Sequence, residues 1–125
     1  MAGSISVAKT DLGGALVKYA VNWIADGSGN VNSNTFDVKR GRVWSVKFVQ
    51  GTPTPTTGYA IKLLDPDNAD LIAGAGATVN SALNSYAAAA TGSFPQFVEG
   101  FAAVTPTVSG AGANAQGSLI VVVGP

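Results

Sequence analysis

The sequence predicts an all-β fold: a single antiparallel β-sandwich, jelly-roll-like, spanning residues 1–125. Three observations carry that expectation. Short runs of β-branched and aromatic residues alternate with polar ones, and turn-forming residues separate the runs. No stretch repeats the strand–helix–strand alternation of a parallel sheet. At 125 residues the chain has the size of one ordinary domain and leaves no length for a second core.

Taken in order, Ser4–Lys9 alternates weakly and reads as a short edge strand, broken by Gly13-Gly14. Ala15–Trp23 places Val17, Tyr19, Val21 and Trp23 on one face and Lys18 and Asn22 on the other, which is strand periodicity. Asp26–Asn34 is turn-forming throughout. Thr35–Val49 sets Phe36, Val38, Trp44, Val46 and Phe48 on one parity, and Arg40 falls with them. Gly41 beside it marks a bulge that turns the arginine to solvent, so the run divides into strands near 35–39 and 42–49.

Gly51–Gly58 holds two Pro and four Thr. Each Pro lacks an N–H, so this is an extended connector rather than a central strand. Tyr59, Ile61 and Leu63 then form the core face of the next strand. Asp65-Pro66-Asp67-Asn68 has the residues of a tight turn, Leu71-Ile72 returns, and Gly74-Ala75-Gly76 closes the unit. The Ala-rich segment near 77–91 carries Val79, Leu83 and Tyr86 on one helical face and is expected to be a short helix or irregular. Phe94–Thr107 is expected to give one or two strands, broken near Gly100 and ending at Pro106. After a Gly/Asn/Ala loop, the β-branched run Ser118–Val123 reads as a central strand covered on both faces.

Composition narrows the function. The chain has no Cys and no His, which excludes thiolate and imidazole metal sites and Ser–His or Cys–His catalysis. Charged residues make up 11%, with seven Lys/Arg against seven Asp/Glu. Such a chain has no net field for nucleic acid or an acidic membrane, and its low charge favours association with partners. The start lacks a basic region followed by an apolar run, and Leu119–Val123 is far short of a membrane span. The expectation is a product that stays in the compartment where it is made, unless lysis releases it.

The candidate sites are few. Asp65, Asp67 and Asp70 are the one carboxylate cluster; their spacing departs from a calcium-loop pattern, and turn chemistry accounts for two of them. Glu99 is the sole glutamate, and nothing in the sequence selects a carboxylate to pair with it for hydrolysis. Lys39-Arg40-Gly41-Arg42 is the one basic cluster, suited to carboxylate or phosphate contacts or to a solvated strand end. Trp23 and Trp44 are sugar-platform candidates, but their place in alternating strands assigns both to the core. No catalytic residue, metal site or cofactor is expected.

The stretches KRGRVWSVKFVQG, TPTPTTGYAIKLLD, DPDNADLIAGAG and VSGAGANAQGSLIVVV, covering about Asn34–Val123, resemble a group of small virion structural proteins of tailed bacteriophages. In those relatives the acidic turn usually has Gly where this chain has Asn68. The resemblance implies a non-enzymatic capsid decoration or cement protein that bridges neighbouring capsid subunits on the head surface. It implies the major capsid protein as partner, assembly in the host cytoplasm, and a homo-oligomer, dimer or trimer, without direct nucleic-acid or membrane contact. Arg40, Arg42 and the docking strip Thr52, Pro53, Thr54 and Pro55 are the candidate interface residues. A head-fibre, neck or tail component with a carbohydrate-binding face is the alternative.

Overall fold

The computed structural model describes residues 3–31, 34–72, 74–86, 96–98 and 101–125. The described residues contain nine strands and no helix: β1 (Ser4–Gly13), β2 (Leu16–Ile24), β3 (Phe36–Val38), β4 (Gly41–Gln50), β5 (Ala60–Leu64), β6 (Ser85–Tyr86), β7 (Gln96–Val98), β8 (Phe101–Ser109) and β9 (Gln116–Gly124). They form two antiparallel sheets. The larger runs β1-β2-β9-β4-β6, with β7 also on β4, and the smaller runs β3-β8-β5.

The pairing is nested. β2 pairs β9, β3 pairs β8, and β4 pairs β7. At the centre, β5 pairs the segment that follows it through bridges Leu64–Asp70 and Tyr59–Val79. This is one long hairpin rolled up, with β4 meeting β9 and β5 meeting β8 to complete the two sheets. The two sheets pack as a β-sandwich, the class expected from the sequence, and the nested order is jelly-roll-like. β1 lies outside the nest as an added edge strand.

The two inner faces supply the core. Val17, Tyr19, Val21 and Trp23 of β2 meet Val43, Val46 and Phe48 of β4 and Leu119, Val121 and Val123 of β9. Opposite them lie Val38, Tyr59, Ile61, Leu63, Val104 and Val108. Each such side chain removed from water contributes about 1.5–3 kcal/mol before ordering costs. Trp23 and Tyr59 join the sheets, ring centroids 5.4 Å apart and tilted by 55°. The Tyr19 hydroxyl accepts from the Lys39 N–H at 2.8 Å, where the chain crosses from one sheet to the other.

At four places the structure departs from a sequence expectation or, for 77–91, takes the irregular one of the two expected forms. Pro106 does not end β8; it pairs with Leu63 in mid-strand. Pairings on the other side of β8 fall at Val104 and Val108, so the missing N–H of Pro106 lies between them. Within the described part of 77–91, residues 77–86 are irregular, with a bridge at Val79 and the two-residue β6; residues 87–91 lie outside the described residues. β9 is central but covered on one face: Val121 and Val123 are buried, whereas Ile120 and Val122 are half-buried on the outside. The fourth is Trp44. The β4–β9 register shifts between Val43 and Ser45, so a bulge at Trp44 turns the indole outward. It is 45% exposed, not core, whereas Trp23 is 1% exposed.

The acidic turn forms as read. Asn68 N–H donates to the Asp65 carbonyl at 2.9 Å, and Asn68 takes φ 64°. Gly and Asn both tolerate that left-handed conformation, so Asn in place of Gly keeps the turn.

Candidate functional site

The outer face of the larger sheet is the surface that the fold leaves without a second layer among the described residues. Its cross-strand rows follow from the register. One row runs Ala8–Ala20–Ile120–Lys47, the next Thr10–Lys18–Val122–Ser45, and a third Ser6–Asn22–Ser118–Val49. In the third row Ser118 Oγ donates to Asn22 Oδ1 at 2.6 Å. Aliphatic Ala8, Ala20, Ile120, Val122 and Val49 are interspersed there with polar residues, Lys18 and Lys47 among them.

At one end, Gly14, Leu16, Trp44, Val122 and Pro125 line a shallow apolar depression. Its floor is Gly124. A Cβ there would lie 3.2 Å from Trp44 Nε1 and would also collide with Leu16 Cδ2. The bare backbone lets Leu16 and the indole close over it. Arg42 stands two positions before Trp44 and is exposed. The face also carries Lys18 and Lys47, and Lys47 Nζ lies 5.5 Å from the Tyr86 ring centroid. Among the described residues of β1, β2, β4 and β9 whose side chains point outward, every charge is cationic. A net-neutral chain has thus gathered Lys18, Arg42 and Lys47 on a face with an apolar depression and an exposed Trp.

The predicted interface residues do not form one site. Arg40 and Arg42 sit at the start of β4, while Thr52–Pro55 follows its far end, about 30 Å away along a ten-residue strand. Thr52, Pro53 and Thr54 are exposed, but Pro55 is buried. The strip is anchored to the β8–β9 loop: Gln116 N–H donates to the Pro53 carbonyl at 3.0 Å and Thr56 N–H to the Ala111 carbonyl at 2.8 Å. Arg42 lies at the same end of β4 as the Trp44 depression; the Thr/Pro strip belongs to the opposite end. Sequence reasoning named Trp44 but assigned it to the core, and missed Leu16 and Pro125, because the bulge that exposes Trp44 leaves no local mark.

Two of the three clustered carboxylates, Asp65 and Asp70, accept hydrogen bonds from the backbone. Asp65 Oδ1 accepts from Asp67 and Ala69 N–H at 2.8 and 2.9 Å. Asp70 Oδ1 accepts from Leu63 and Ile72, both at 3.1 Å, and its Oδ2 from Gly74 at 3.0 Å. No group of three His, Cys, Asp or Glu side chains among the described residues is placed to hold a metal ion. Glu99 lies outside the described residues. At the Asp26 loop, the Asn30 and Ser28 N–H groups donate to the carboxylate at 2.9 and 2.8 Å and hold its pKa below the usual value. Burial pushes the Tyr59 phenol up to about 12, against the pull of its hydrogen bond to Gln50.

Comparison with protein families, with curated proteins and with solved structures found no significant match to this chain.

Proposed function

We propose that the protein is a non-enzymatic virion structural protein, a decoration or cement protein that docks on the head shell and bridges neighbouring capsid subunits. One observation supports this reading above the rest: a sheet face left open by the described residues, with an apolar depression at an exposed Trp44 and outward charges that are all cationic. Trp and Arg are the residues that most often anchor protein interfaces. The partner fitting this face is the major capsid protein, through an apolar surface bordered by carboxylates. The resemblance to small phage virion proteins points the same way.

The test is binding to purified shells. Trp44→Ala and Arg42→Glu are expected to weaken occupancy, and bound wild-type protein to raise shell resistance to heat and osmotic shock. Equal stability of decorated and bare shells rejects the reading. A second reading rests on Trp44 alone: an exposed indole on a flat face is a stacking platform for a sugar ring. Glycan-array binding that disappears in Trp44→Ala would favour a head-fibre, neck or tail component.

A further inference from the structure

We propose that the free edge of β1 pairs with β1 of a second copy, antiparallel and centred on Val7, to join two sandwiches through one continuous sheet. The inference rests on the sheet edges and not on the shell-docking reading. Among the described residues the other edges are short or occupied: β6 has two residues, β7 and β3 have three each, and β5 is bonded by the segment after it. β1 has ten residues, none of them buried, and among the described residues it has a strand partner on one side only. It carries no Pro, and its one irregularity falls between Asp11 and Gly13, leaving Ser4–Thr10 in unbroken register with β2. Natural edges of this length are normally blunted by Pro, bulges, brevity or charge; here the bulge lies at the far end of the strand and Lys9 is the one charge within Ser4–Thr10.

The occupant follows from self-complementarity. A two-fold axis at Val7 sets Val7 against its copy, Ile5 against Lys9, Ser6 against Ala8 and Ser4 against Thr10. Ile5 and Val7 already pack on the core but stay half-exposed. The pairing extends their cover with Val7 and the aliphatic stem of Lys9 from the other copy. The register shifted by two residues towards the C-terminus opposes Lys9 to Lys9, which disfavours it. The contact is isologous, so it closes as a dimer and does not propagate.

Sedimentation equilibrium over a micromolar-to-millimolar series tests this on the intact chain. Wild type is expected to show a monomer–dimer equilibrium. Ser6→Lys with Ala8→Lys places lysine opposite lysine twice and should raise the dimer Kd about tenfold or more. Ser6→Lys with Ala8→Glu restores opposite charges at the same positions and should dimerise at least as well as wild type. Both positions are exposed, and circular dichroism checks that each variant folds. A concentration-dependent slowing of amide exchange in β1 of the wild type supplies a readout independent of the variants. A wild type that stays monomeric through the series, or a dimer equally tight in both double variants, overturns the proposal.

Discussion

Leu16 and Trp44 meet over Gly124, one from β2 and the other from a bulge in β4, and together they cover the last residue of β9. The contact ties three neighbouring strands at the end where Arg42 is exposed. It also explains how a large aromatic can be held in a fixed place on an open face. The indole is pinned by backbone below and Leu16 beside it, not by burial.

The two tryptophans should therefore part company on mutation. Trp23→Ala empties a core site that is 1% exposed and is expected to cost about 3–5 kcal/mol. Trp44→Ala should cost about 1 kcal/mol, since the ring is half in solvent. Urea denaturation of each variant measures the difference. Acrylamide should quench the emission of Trp23→Phe protein, which retains Trp44, far more than that of Trp44→Phe protein.

Two glycines of β9 give a second contrast. A Cβ at Gly117 would lie 2.6 Å from the buried Trp23 ring, whereas at Gly124 it meets the flexible end of Leu16 and the rim of Trp44. Gly117→Ala should destabilise by about 1–3 kcal/mol because the rigid ring cannot yield without repacking. Gly124→Ala should cost less than about 1 kcal/mol but displace the indole. Denaturation midpoints and the Trp44 emission maximum distinguish the two outcomes.

The Asp turn provides a third. Asp70 accepts three backbone N–H bonds, so Asp70→Ala leaves part-buried donors without an acceptor and should cost about 1–3 kcal/mol. Asp67→Asn, at an exposed position, should fall within about 0.5 kcal/mol of wild type. Calcium added to the wild type should leave its melting temperature unchanged. A calcium-dependent rise would mean that the carboxylates serve an ion rather than the backbone.

Most of the fold was legible because its signals are local. Alternation marks the inner residues of β2 and β5, and Asp65-Pro66-Asp67-Asn68 marks its own turn. The nested pairing was not legible, since register is decided by which distant faces meet. The site was missed for a related reason. Trp44 shares parity with Val46 and Phe48 in the sequence, and only the pairing of Val43 with Val123 and Ser45 with Val122 reveals the extra residue between them. The β-branched run 118–123 was read as covered on both faces. It is apolar on both, but one of those faces is left open by the described residues. Arg40 and Arg42 are close in sequence to Thr52–Pro55, but the extended β4 between them holds the two groups at opposite ends.

Burial of Tyr59 is expected to make the folded state lose stability at alkaline pH. Its hydroxyl donates to Gln50 Oε1 at 3.0 Å, and burial raises the phenol from 10.0 to about 12. Below pH 10.0 the proton stays on in both folded and unfolded chains, and the full contribution is present. Between pH 10.0 and about 12 the unfolded chain loses it first, so stability falls as pH rises through this window. Above the folded value both states are ionised and the loss from this group is complete. Tyr59→Phe should cost about 1 kcal/mol at neutral pH, through the lost hydrogen bond, and should flatten this alkaline decline. Urea titrations of both proteins at stepped pH measure it, and parallel curves above pH 10.0 would assign the decline to other groups.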